Sequence, residues 1–206
     1  MELIRKYFHG LEPDQNRKYQ LLLELIPRLN RKVNVISRKE MEHLEERHIL
    51  HSLSIARIFR FHSGASVVDV GTGGGFPGIP LAVMFPQVHF LLVDSIGKKI
   101  RVIEEIIREL DLGNVRAIRS RAEELAGTFD FSVSRAVASF SRLYSWSEKL
   151  VVAGHQSNKP NGMISLKGGE LDAELGPFLD RVEIFPIDRL FREPFFSGKK
   201  IVYLKK

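Results

Sequence analysis

The chain has 206 residues, 31 Lys+Arg against 25 Asp+Glu, a formal net charge of +6 and no cysteine. That length suits one domain, and 44% hydrophobic with 27% charged residues excludes a disordered or collagen-like chain. The empty cysteine column excludes disulfides, thiolate zinc and iron–sulfur sites, and any cysteine nucleophile.

From Asp14 to Lys32 the apolar residues Tyr19, Leu22, Leu23, Leu25, Ile26 and Leu29 keep helical spacing, with Pro27 expected to disturb the last turns. Ser37-Arg38-Lys39-Glu40 has the pattern of a capping box, which predicts a second helix through Leu44, Ile49, Leu53 and Ile55. Residues 1–63 therefore read as a helical cap within the same globule, and 64–206 as the core. After Gly64 short apolar runs alternate with helical stretches. Strands are predicted at Ser66–Val70, Val88–Val93, Val115–Arg119, Phe129–Ser134, Gly162–Lys167, Val182–Ile187 and Lys200–Leu204. Helices are predicted at Ile79–Phe85, Ile96–Leu110, Ala122–Leu125, Phe140–Val152 and Leu171–Leu179. Alternation of this kind predicts an α/β fold with a seven-stranded, mostly parallel sheet covered by helices. No helix separates the last two strands, so they should form an antiparallel edge.

The most informative stretch is Val67-Val68-Asp69-Val70-Gly71-Thr72-Gly73-Gly74-Gly75-Phe76-Pro77-Gly78, a β-branched strand entering a glycine-rich turn. Ligands of open α/β sheets bind at this carboxyl edge, and glycines allow close backbone approach. A dinucleotide fingerprint needs a third glycine where Phe76 stands. Asp69, two residues before Gly71, is expected to face the ligand, where it suits an ammonium group and repels a pyrophosphate. The second strand ends in Val93-Asp94, 23 residues after Gly71, where an acid can accept both ribose hydroxyls. Together these favour S-adenosylmethionine over NAD.

Other stretches are equally distinctive: Asn34-Val35-Ile36-Ser37, Arg47-His48-Ile49-Leu50-His51-Ser52, Asp94-Ser95-Ile96-Gly97-Lys98-Lys99, Ser120-Arg121-Ala122-Glu123-Glu124, Ser134-Arg135-Ala136 and Leu166-Lys167-Gly168. With the glycine loop they make the chain resemble the bacterial small-subunit ribosomal RNA guanine-N7 methyltransferase G family, also called glucose-inhibited division protein B. The resemblance runs through most of the chain. It departs at His51, where the family usually has Asp, and at Gly74, where Pro is frequent. It implies a Rossmann-like class I methyltransferase that uses S-adenosylmethionine on 16S ribosomal RNA or the 30S subunit. It further implies cofactor contacts at Gly71, Gly73 and Phe76. Asp94 and Ser95 would serve the ribose, Ala122 and Glu123 the adenine, and Arg135 the region of the transferred methyl.

Methyl transfer from a sulfonium is an in-line displacement, so its demands depend on the acceptor. A pyrimidine C5 acceptor normally requires a cysteine adduct, which this chain cannot form. Exocyclic amines commonly use a Pro-Pro-aromatic turn after the fourth strand, where Ser134-Arg135-Ala136-Val137 stands instead. Guanine N7 carries a free lone pair and no proton. Positioning alone can then supply most of the rate, on the order of 7–11 kcal/mol, and no catalytic acid or base is named. Arg135 is assigned an orienting role.

RNA phosphates need basic groups around the cofactor mouth. The candidates are Arg47, Lys98, Lys99, Arg101, Arg142 and Lys167. Residues 1–65 and 131–206 each carry a surplus of four basic side chains, while 66–130 carry a deficit of two. This suits RNA gripped around an acidic pocket, and equally a solvated surface. His43, His48 and His51 lack the acid-and-histidine signature of a zinc site, so no metal is expected. Tyr144 and Trp146 are read as helix packing, and Phe195-Phe196 as a mobile loop that can touch substrate. Apolar runs too short for a membrane and an N-terminus without a signal sequence lead to the expectation of a cytoplasmic monomer. A cofactor-binding assembly factor without turnover, or a methyltransferase on another nucleic acid or small molecule, remains the alternative.

Overall fold

The β-branched run Ser66–Val70 forms the central strand β1, and six further strands flank it: β2 (His89–Asp94), β3 (Val115–Arg119), β4 (Phe131–Arg135), β5 (Gly162–Gly168), β6 (Val182–Pro186) and β7 (Lys199–Lys205). The structure, a computed structural model, describes residues 1–206 apart from the side chain of Arg38. Strand order is β3-β2-β1-β4-β5-β7-β6. The pairs among β1 to β5 are parallel, whereas β7 runs against both β5 and β6. The reason lies in the connection from Pro186 to Lys199. It holds only the 3-10 turns Ile187–Arg189 and Pro194–Phe196, with no crossover helix to return the chain for parallel pairing.

The helices are α1 (Glu2–Tyr7), α2 (Pro13–Asn30), α3 (Arg38–Met41), α4 (His51–Ile58), α5 (Gly78–Met84), α6 (Gly97–Glu109), α7 (Phe140–Ser147) and α8 (Asp172–Leu175). Strand residues alternate between two packed layers, as the pleat requires. Val67, Leu92, Val133 and Ile164 join one large cluster with Tyr19 and Leu22 of α2, Leu53 and Ile55 of α4, and Ile103 of α6. Val68, Val70 and Val93 face the other way, against Leu125 and Leu150. The N-terminal helices share the sheet's main core: Tyr19 is fully buried and its hydroxyl donates to the Pro80 carbonyl at 2.8 Å. Among the described residues no helix is long and apolar enough to cross a membrane.

Five predicted helices differ from the structure. Ala122–Leu125 is a 3-10 turn at Ala122–Glu124, and Leu171–Leu179 divides into α8 and the 3-10 stretch Gly176–Arg181. α2 continues through Pro27 to Asn30, since burial of Leu25, Ile26 and Leu29 holds the helix across the missing N–H. The segment from Ser37 to Ile55 is not one helix. Ser37 caps α3 by accepting from the Glu40 N–H at 3.3 Å, and a π-helical stretch, Leu44–Leu50, then leads into α4. A pattern read at 3.6 residues per turn cannot reveal that widened turn. α7 stops at Ser147, because Leu150 is buried against Val68 and Val70 of the central strand and Val151 bridges Phe129 just before β4.

Candidate active site

The chain lays β2 and β3 to one side of β1 and β4 to the other, so a crevice opens above the carboxyl ends of β1 and β4. This is where open α/β sheets bind ligands. A cavity of about 890 Å³ lies there. Its wall comes from the ends of β1, β2, β4 and β5, and from the N-terminal helices.

The glycine loop shapes one side. Gly71 has φ +69, and a Cβ there would sit 2.5 Å from a Val137 methyl. Gly73 has φ +60, yet a Cβ on it would meet nothing nearer than the Gly71 carbonyl at 3.9 Å. Gly73 is therefore a backbone surface left bare toward the cavity. Its N–H donates to Asp94 Oδ2 at 3.0 Å, and the Ile96 N–H donates to Oδ1 at 2.8 Å. A carboxylate offers about four lone-pair sites, so each Asp94 oxygen keeps one free while the side chain is held rigid. Ser95, Ala122 and Glu123 stand on the same wall. A bare glycine cradle beside a fixed carboxylate with spare acceptors fits a ligand that carries a nucleoside.

Asp69 corrects the sequence reading. The alternation of β1 turns it away from the cavity, onto the face where α5 packs, and it is fully buried. Its Oδ2 accepts from the Thr72 hydroxyl at 2.7 Å and from the Gly78 N–H at 2.8 Å. Asp69 thus ties the turn to the start of α5 and does not stand on the cavity wall. Burial pushes its carboxyl up to about 7, opposed by those two hydrogen bonds.

Arg135 ends β4 inside the cavity. Its Nη1 donates to the Arg47 carbonyl at 2.9 Å and its Nη2 to His48 Nδ1 at 2.8 Å, with the guanidinium 5.0 Å above the Phe76 ring. Burial lowers its pKa to about 10, which leaves it a cation at neutral pH. His48 is pushed down to about 3 by burial and by the charges of Arg135 and Arg47. His51 is buried edge-on to Phe195 and Phe196, and burial holds it well below its usual value. Both rings are neutral.

The basic candidates divide. Arg47, Lys99, Arg142 and Lys167 line the cavity, whereas Lys98 and Arg101 are exposed on α6 outside it. Lys167, named by sequence as a candidate for RNA phosphates, stands on the cavity wall but is already engaged: its ammonium donates to Glu174 and to the Ala138 carbonyl, both at 2.7 Å, so its charge is neutralised. Arg47 pairs with Glu40 at 2.8 Å and lies over the Phe195 ring at 5.3 Å. Phe196 is wholly buried, so only Phe195 of that pair faces the cavity. Trp146 packs on the core and also lines the cavity. Glu40, Thr72, Trp146 and Lys199 were not singled out as site residues by sequence. The first carried a signal only as a helix-capping acid.

Residues 15–180 match the family described as rRNA small subunit methyltransferase G (GidB). The chain belongs to that family. A relative from Bacteroides fragilis, named ribosomal RNA small subunit methyltransferase G, is 50% identical over 204 residues and 99% of each chain. One of the same name from Bacteroides thetaiotaomicron is 48% identical over 203 residues and 98% of each chain. Among solved structures, a SAM-dependent methyltransferase from Aquifex aeolicus aligns with TM-score 0.58 at 14% identity, covering 82% of this chain and 98% of that one. An rRNA methylase from Streptococcus thermophilus aligns with TM-score 0.52 at 11% identity, covering 76% and 94%. These two share the fold, the Rossmann-like sheet of class I methyltransferases.

Proposed function

We propose that this protein transfers a methyl group from S-adenosylmethionine to N7 of a guanine in 16S ribosomal RNA, as a cytoplasmic monomer. The observation that carries this reading is the cavity at the switch point, where a bare glycine turn and a rigid Asp94 carboxylate meet in a chain of this family. The cofactor supplies an electrophilic methyl on its sulfonium. Asp94 with Ser95 receives the ribose hydroxyls, Ala122 and Glu123 flank the adenine, and Gly71, Gly73 and Phe76 bound the amino-acid end. Arg135 orients the acceptor with donors already fixed by its bonds to the π-helical stretch, at no cost of reorganisation. Because N7 carries no proton, the protein needs only to hold donor and acceptor in line. Lys98, Lys99, Arg101 and Arg142 supply positive charge for phosphates around the mouth, Arg47 being paired with Glu40, and residues 1–63 act as a cap over the site.

Incubation with methyl-labelled cofactor and either deproteinised 16S RNA or 30S subunits tests the reading. Label in a guanine that becomes sensitive to N7-specific strand cleavage is expected. Cofactor binding without label in either substrate favours an assembly factor and overturns the enzyme.

A further inference from the structure

The cavity wall offers more recognition chemistry than a cofactor uses. Arginine can only donate hydrogen bonds, so the 2.8 Å contact from Arg135 Nη2 makes His48 Nδ1 an acceptor. The ring proton therefore sits on Nε2. That nitrogen is buried and has no hydrogen-bond partner among the described residues. Beside it, at 3.7 Å, lies Glu40 Oε2, too far for a hydrogen bond. The other Glu40 oxygen accepts from Arg47 at 2.8 Å, which holds the carboxylate in place. An N–H donor and a carboxylate acceptor thus stand side by side on the wall, each unfilled.

This inference rests on the guanine-N7 reading above. We propose that His48 and Glu40 select the acceptor base: the His48 Nε2–H donates to guanine O6, and Glu40 accepts from N1–H and the 2-amino group. The order of groups along the purine supports it. N7 is followed by O6 and then by N1 and N2. On the protein, Arg135 and Phe76 are followed by His48, whose ring lies 5.2 Å from Phe76, and then by Glu40. A guanine whose N7 faces the glycine loop presents its remaining edge to this pair. Adenine in the same pose sets its 6-amino group against the His48 N–H and its N1 lone pair against the carboxylate. Both contacts then become repulsive, which is how a buried polar pair rejects a near-isostere. His48 and Glu40 are specificity residues here; His48 also fixes Arg135, so Glu40 is the residue that probes base choice alone.

The test uses 16S RNA ligated around a synthetic segment, carrying either guanosine or unsubstituted purine riboside at the position that wild-type protein methylates. The analogue keeps N7 but lacks O6, N1–H and the 2-amino group. Single-turnover transfer is measured for wild type, Glu40→Ala and His48→Ala, with cofactor affinity and Tm recorded for each. With guanosine, each variant should lose at least about 10-fold in transfer rate while cofactor affinity stays within about 2-fold. With purine riboside Glu40→Ala should lose almost nothing relative to wild type, because the contacts it removes are already absent, while His48→Ala keeps only the loss that comes from unpairing Arg135. Glu40→Ala losses of equal size on both bases would overturn the proposal. Glu40 is about one-third exposed, so its variant keeps the fold even if His48→Ala, which unpairs Arg135, does not. Failure of wild type to methylate guanosine at all would reject the underlying function as well, a different outcome from equal losses.

Discussion

Asp94 and Asp69 are both acids at strand ends, and their surroundings give them different work. Asp94 is held by two backbone N–H groups at the cavity wall. Asp94→Asn removes the charge and one acceptor, which for hydrogen bonds to charged groups is worth about 1.5–3 kcal/mol. Isothermal titration should show cofactor affinity reduced by roughly 10- to 100-fold, with a lower Tm because the amide leaves one of the two backbone N–H groups without an acceptor. Asp69 acts on stability. Its carboxyl rises from 3.8 to about 7 through burial, so the folded protein keeps a proton that the unfolded chain has lost. Its contribution is complete below about pH 4 and falls as the pH rises toward 7. Asp69→Asn keeps an acceptor for Thr72 and Gly78 and has no charge to bury. The Tm of this variant relative to wild type should rise between pH 4.5 and 7.5. A constant difference across that range would contradict the burial account.

The glycine loop joins β1 to α5 and shows how an element reads in sequence. Four glycines after a β-branched strand mark the turn, but the role of each depends on what lies across from it. Gly71 faces Val137, which arrives from the end of β4 some 66 residues later. Gly71→Ala should therefore lower Tm and abolish cofactor binding together, through a clash added to the strain of a positive φ. Gly73 faces open space. Gly73→Ala should cost only the left-handed conformation, about 1–2 kcal/mol, and still weaken cofactor affinity by filling the bare surface. Thermal melts paired with cofactor titration separate the two, and equal behaviour of both variants would refute the distinction. The π-helical stretch is the opposite case. It brings Arg47 and His48 to the cavity, and nothing in its local pattern distinguishes it from an ordinary helix.

At the scale of the whole molecule, charge and the closing contacts decide behaviour. The N-terminus is fastened to the far end of the chain: Lys6 and Tyr7 both reach Glu193, and the Tyr7 hydroxyl accepts from the Arg192 N–H at 2.8 Å. This clasp borders Phe195 on the cavity wall. Tyr7→Phe should lower Tm by a few degrees and leave cofactor affinity intact, as loss of one partly buried hydrogen-bonding group predicts. Basic surplus at both ends of the chain predicts that RNA association weakens steeply with salt. If about five phosphates are neutralised, a logarithmic slope near −4 is expected, whereas cofactor binding should change little. Filter binding across a salt series measures both, and a flat RNA response would remove the electrostatic grip.

Much of this was legible in one dimension, because it rests on local regularities. Alternation of apolar residues specified the strands, the glycine run marked the ligand edge, and the spacing to Asp94 singled out the second acid. Those signals survive in sequence since neighbouring residues create them. Tertiary structure alone decided which side of β1 each residue faces, and so moved Asp69 from ligand to scaffold. It also neutralised Lys167 with Glu174 and set Trp146, a packing residue as expected, on the cavity wall as well. Above all it set Glu40 and His48 beside Arg135, which is 95 and 87 residues away along the chain. Hydrogen bonds and ion pairs form across space between elements that only the folded sheet brings together, and no periodicity along the chain encodes those meetings.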